Sequence, residues 1–324
     1  MGTIKEPETL QEAILYFADR ENCREYLTAR RWSDGVTCPR CGGKKVIFQE
    51  KYNRYQCGAS HPLRQFTLKT GTIFEDSPIG LDKWLTAMWM VVNCKNGISS
   101  YEIHRALKVS QKTAWFMDHR IRLALKQETE SPLTGTIEMD ETFIGGKVKN
   151  MHKSRKPKGP GFSGKPVAGT AAKAIVVGML ERKGRVRAEV VVERTQPVLH
   201  AIIETHLGGG STLVTDEWGG YKGTNFQHEI INHAVSYVNG LVHTNGIENF
   251  WSLLKRGING TYVSIEPFHL FRYIDEQAFR YNYREMADMA IKDADRFDIA
   301  VRQIVGKRLT YAELTGKEGA TAPF

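Results

Sequence analysis

The sequence has no apolar run approaching the roughly 20 residues that a membrane-spanning helix requires, which argues against a membrane-embedded role. Its first residues scatter Glu6, Glu8, Glu12 and Asp19 where a secretory signal would carry a basic start and an apolar stretch, so a cytoplasmic protein is expected. Cysteine is scarce. Cys23, Cys38, Cys41, Cys57 and Cys94 make an odd set of five with three clustered, which argues against a disulfide framework and fits a metal site in a reducing compartment. Acidic residues are short as well: 36 Asp+Glu stand against 45 Lys+Arg, a formal charge of +9. That imbalance suggests a polyanionic partner without saying which. What is present, 324 residues with 41% hydrophobic and 25% charged side chains, suffices for a sizeable core and two or three globular domains.

Taken in order, residues 1–34 are expected to hold one or two amphipathic helices, with Leu10, Ala13, Ile14 and Phe17 at helical spacing. Residues 35–75 read as a zinc ribbon. Cys38-Pro-Arg-Cys41-Gly-Gly presents two thiolates two residues apart, with glycines that let backbone amides approach the sulfurs, and Cys57 and His61 are candidates to complete a tetrahedral shell. Flanking runs at 45–48 and 53–56 can pair as short strands. Residues 76–130 suit a helix-turn-helix: an apolar helix around Trp84 to Val92, a short helix after Ser99 and Ser100, a tight turn, and a second helix offering Gln111, Lys112 and Thr113 to a major groove.

From Thr136 the pattern alternates, with Ile137 and Met139 on one face of a strand and Glu138 and Asp140 on the other. A basic tract rich in Gly and Pro follows, in which Lys153, Arg155 and Lys156 are candidate phosphate contacts. Two β-rich runs meet at Lys183-Gly184, Pro197 opens a helix, and a strand ends on Asp216. A short strand is expected at 229–237. The next helix carries Glu248 beside a buried face of Ile247, Phe250, Trp251 and Leu254, with Lys255 and Arg256 as candidate DNA contacts at its far end. This order suits a mixed α/β sheet of the ribonuclease H type, in which Asp140 and Asp216 lie on neighbouring strands and Glu248 approaches from a helix. Three converging carboxylates repel one another unless cations neutralise them, and hard oxygen donors suit two Mg²⁺ or Mn²⁺ ions.

CPRCG, TGTIF, EMDETFIGG, VTDEWGGY, HTNGIENFWSLLKRGINGTY and FRYNYR together resemble the DDE transposases of bacterial insertion sequences that carry an N-terminal zinc ribbon. The resemblance implies transposition of DNA in the bacterial cytosol or nucleoid, with Asp140, Asp216 and Glu248 as metal ligands over a catalytic domain at 131–285 and a C-terminal extension at 286–324. It also implies double-stranded DNA as partner, both element ends and target, and at least a dimer on DNA to hold two ends together. The family pattern would place a cysteine pair where Cys57-Gly-Ala-Ser-His61 stands, so the fourth zinc ligand stays open, and Asn245 or Asn249 could share the role of Glu248. A zinc-ribbon and helix-turn-helix regulator without catalysis, and a nuclease of the same fold without strand joining, remain the alternatives.

Overall fold

The computed structural model describes residues 5–127, 131–146, 173–216, 219–231, 244–285 and 290–317. They form two compact units: one takes the residues up to Lys126 and resumes at Tyr283, and the other is Gln127–Asn282.

In the first unit, α1 (Leu10–Phe17) starts with a capping box in which Thr9 and Glu12 satisfy each other's backbone amides, and α2 (Arg20–Arg31) is capped by Asp19. The ribbon is a three-stranded antiparallel sheet of β1 (Val46–Gln49), β2 (Arg54–Cys57) and β3 (Gln65–Phe66), one strand more than expected. The helix α3 (Leu81–Asn93) is apolar nearly all round, with an unbroken buried run from Trp84 to Val92, as suits the central helix of a unit. After it come α4 (Ser100–Leu107), capped by Ser99 and Glu102, and α5 (Gln111–Leu125). Of the segment expected as a C-terminal extension, the described residues 290–317 pack into this unit. Phe297 on α9 (Asp293–Arg302) is fully buried, its ring 4.9 Å from Trp89 and 5.7 Å from both Phe17 and Tyr26, while Asp298 pairs with Arg30 at 2.7 Å. A short α10 (Tyr311–Leu314) ends the described chain.

The second unit is a five-stranded sheet built from β4 (Thr136–Ile144), β5 (Ala174–Glu181), β6 (Val186–Val191), β7 (Thr212–Thr215) and β8 (Gln227–Ile230), in the order β6-β5-β4-β7-β8. The first three strands are mutually antiparallel, and β7 and β8 add in parallel. Strand alternation separates two cores. Ile137, Met139, Val177 and Met179 pack with α6 (Gln196–His206), whereas Ile144, Val176 and Leu180 pack with α7 (Asn245–Gly257) and α8 (Leu270–Asn282). The edge strand β6 is protected by the last residue of α8: Asn282 accepts from the Val186 amide at 2.7 Å and donates to its carbonyl at 2.9 Å. Of the strand expected at 229–237, β8 covers the beginning, and residues 232–243 lie outside the described set.

Candidate active site and metal centre

On β4, Glu138 and Asp140 share the face of Ile144, toward α7. The parallel register pairs Thr136 with Thr212 and Glu138 with Val214, and Asp216 follows one residue past the end of β7; continued two residues, that register would bring it beside Asp140. Opposite Asp140 on β5 stands Gly178, where a Cβ would lie 2.5 Å from the indole carbons of Trp251. Glycine there leaves the space in which Trp251 crosses β5 and donates its indole N–H to Asp140 Oδ2 at 3.0 Å; Oδ1 accepts from the Glu141 amide at 2.8 Å.

Glu248 sits one turn into α7, exposed, and its carboxylate accepts from the Thr244 hydroxyl at 3.1 Å. Burial, and then the negative charges of Asp216 and Glu248, raise the Asp140 carboxyl above its ordinary range despite the two donors that favour its ionised form. Asp140 therefore feels the charge of both other carboxylates. The three are not closed into a cage: among the described residues, the only group of three or more Cys, His, Asp and Glu side chains whose ligand atoms all lie within 4.8 Å of one another is in the ribbon. The donor set, all hard oxygens and electrostatically frustrated without a cation, fits Mg²⁺ or Mn²⁺. Glu141 faces the other way, where burial raises its carboxyl and Arg194 stands 3.6 Å off, so it belongs to the α6 side of the sheet.

The ribbon group is Cys38, Cys41, Cys57 and His61. Cys38 Sγ lies 3.5 Å from His61 Nε2 and Cys41 Sγ 3.6 Å from Cys57 Sγ, close to the roughly 3.7 Å edges that zinc–sulfur bonds of about 2.3 Å impose on a tetrahedron. His61 Nδ1 is 2.7 Å from the Pro62 carbonyl, which fixes the tautomer leaving Nε2 free to ligate. Burial pushes the Cys38 thiol up, but the Arg40 and Cys41 amides and the neighbouring thiols outweigh it and bring it down to about 7. The four side chains fit a structural zinc.

The candidate DNA contacts are placed less uniformly. Gln111 donates to the Ser100 hydroxyl at 3.0 Å, Thr113 shares a 2.7 Å hydrogen bond with the α5 cap Ser110, and the Lys112 ammonium lies 4.5 Å over the Tyr311 ring. All three thus have partners within the chain. Lys255 and Arg256 are exposed on the last turn of α7. Lys153, Arg155 and Lys156 lie outside the described residues. Glu138, Gly178, Trp251 and Gly246 shape the site although no site role was assigned to them from sequence; the one available signal was that Glu138 shares the face of Asp140.

A mixed five-stranded sheet with a carboxylate on its central strand, a second just past the end of the neighbouring β7 and a third on a crossing helix, in a chain with a Cys₃His ribbon, defines a ribonuclease H-like polynucleotidyl-transferase type of protein. Residues 132–282 match the ISXO2-like transposase domain and residues 18–59 match the transposase zinc-ribbon domain. A Halobacterium salinarum protein described as an uncharacterized protein in transposable element ISH50 is 27% identical over 256 residues, which cover 76% of this chain and 85% of that one. The two matched domains span more than half of the sequence, and the chain belongs to the ISXO2-like transposases with an N-terminal zinc ribbon.

Proposed function

We propose that this transposase cuts phosphodiester bonds at the ends of an insertion sequence and joins the freed 3′-hydroxyl to target DNA, with Asp140, Asp216 and Glu248 holding two divalent ions. What carries the reading is the Asp140 carboxyl: half-buried, raised by the negative charges of Asp216 and Glu248 as well as by burial, and hydrogen-bonded through both oxygens rather than relieved of its charge. When bound, Mg²⁺ or Mn²⁺ supplies Lewis-acid stabilisation of the attacking and leaving oxygens of an in-line displacement. The protein's share is positioning. The Trp251 indole and the Glu141 amide fix the rotamer of Asp140 while each oxygen keeps acceptor capacity, and Thr244 orients Glu248.

Cys38, Cys41, Cys57 and His61 hold a structural zinc that stabilises a ribbon too small for a core of its own. Residues 35–75 and 76–130 serve as DNA-binding modules ahead of the catalytic residues 131–285. Lys112, Lys153, Arg155, Lys156, Lys255 and Arg256 contact phosphates, Gln111 and Thr113 face the groove after exchanging their internal partners, and two or more copies assemble on DNA. Binding through these cations weakens with salt by roughly one log–log unit per phosphate contact.

The test is a labelled duplex carrying the DNA that flanks the gene, incubated with purified protein and Mg²⁺ or Mn²⁺, with EDTA as control. Metal-dependent nicks at a fixed end, followed by joined products lost in Asp216→Asn, are expected. Cleavage without joining points to a nuclease, and tight binding with neither points to a regulator.

A further inference from the structure

We propose that Glu138 is a positioning residue: it clamps the first turn of α7 to the strand that carries Asp140, and so sets where Glu248 stands relative to Asp140. The proposal rests on the metal-site reading above. Glu138 is 1% exposed, an expensive place for a carboxylate unless its charge is met. Its Oε2 accepts from the amides of Gly246 at 2.8 Å and Ile247 at 3.0 Å, the second and third residues of α7, and its Oε1 accepts from Arg182 Nε at 3.2 Å. Those amides are the donors that a helix start leaves unpaired, and the positive end of the helix dipole favours an anion beside them.

A helix ordinarily satisfies such donors with its own cap. Here the cap residue, Thr244, makes no side-chain cap bond and spends its hydroxyl on Glu248 instead. The capping carboxylate comes from β4, two residues from Asp140 and on the same face, roughly 7 Å along the strand. Gly246 leaves no slack, because a Cβ there would fall 2.7 Å from Glu138 Oε2 and 2.5 Å from Leu180. Glu138 at one end and the Trp251–Asp140 bond further along thus fasten α7 to β4 at two points, with Glu248 between them. A cap supplied from within α7 would stabilise the helix equally well but would not tie its register to β4.

The readout is the Trp251 indole N–H resonance, one of six tryptophan signals, assigned with Trp251→Phe. It is followed in the full-length protein without DNA, first metal-free and then through Mg²⁺ and Mn²⁺ titrations, in wild type, Glu138→Gln and Glu138→Ala. Glutamine keeps the size but presents a donor either to the two amides or to Arg182. Both variants are expected to displace the metal-free resonance and to raise the metal midpoint about ten- to a hundred-fold, while Glu138→Gln retains a cooperative thermal transition. A purely structural carboxylate would lower the melting temperature and leave the midpoint of the folded protein unchanged; that result, with an unmoved resonance, overturns the proposal. If Glu138→Ala does not fold, Glu138→Gln decides by the same two readouts. Asp140→Asn should abolish the metal response. A wild-type resonance indifferent to both metals would sink the metal-site reading instead, and the clamp would then be judged on the metal-free displacement alone.

Discussion

The ribbon and the carboxylate site are two ways of gathering ligands. In the ribbon, three soft thiolates and an imidazole nitrogen already stand at the separations a tetrahedral ion needs, and the surrounding sheet has three very short strands over one small aromatic cluster of Trp32, Phe48, Tyr55 and Phe66. In the second unit, the sheet and two apolar layers are complete without any ion; Asp140 and Glu248 are each held by hydrogen bonds, and Asp140 feels the charges of Glu248 and Asp216 in a shell that is not closed. A closed shell makes the metal part of the fold. In the proposed function, an open, frustrated shell would keep coordination positions for DNA, with its cost carried by the scaffold.

The largest effect should therefore come from removing zinc. Structural zinc in small fingers carries about 10–16 kcal/mol of apparent binding free energy, so Cys41→Ala or a strong chelator should unfold the ribbon while the sheet of the second unit persists. Backbone NMR distinguishes the two, and a ribbon that stays folded without zinc would erase the contrast. Next comes Gly178→Ala, which drives a methyl into Trp251. A loss of about 1–3 kcal/mol in a denaturant melt is expected, together with weakened metal-dependent cleavage, because the donor to Asp140 is displaced.

The smallest effect tests frustration itself. Asp140 has a folded pKa raised above its unfolded value, so it favours folding most at low pH, and that contribution is lost as pH rises from the unfolded pKa through the folded one. Metal-free Asp140→Asn should consequently be more stable than wild type at neutral pH, with the difference vanishing below about pH 4. Asp298 supplies the opposite sign. Its carboxyl is depressed by ion pairs with Arg302 and Arg30, which outweigh burial, so its stabilisation is present above the unfolded pKa and lost as pH falls through the folded one. Thermal melts of Asp140→Asn and Asp298→Asn against pH would separate the two, and parallel profiles would contradict the assignment.

Periodicity exposed much of this arrangement in advance. The 3.6-residue spacing of Ile247, Phe250, Trp251 and Leu254 matches the buried face of α7, and the two-residue alternation around Asp140 matches the division of β4 between two cores. The Cys-X-X-Cys spacing pointed to the ribbon, and the fourth ligand atom beside its cysteines is that of His61. Long-range partners were not legible. Nothing local says that Glu138 meets amides 108 and 109 residues away, or that Phe297 belongs with Phe17 and Trp89. Trp251 read as an anchor because its apolar bulk dominates a periodicity argument, while the indole N–H that reaches Asp140 depends on the missing side chain at Gly178. The α5 residues read as groove contacts from position alone, which cannot reveal that Ser100, Ser110 and Tyr311 already occupy them.

The contrast between the two centres is tested most directly by metal content. Wild type and Asp140→Asn would be dialysed exhaustively, assayed for zinc by mass spectrometry, and titrated with Mn²⁺ by electron paramagnetic resonance. The account predicts one retained zinc per chain in both proteins and an exchangeable Mn²⁺ site in wild type alone. Zinc lost from both on dialysis, or Mn²⁺ bound equally by Asp140→Asn, would contradict it.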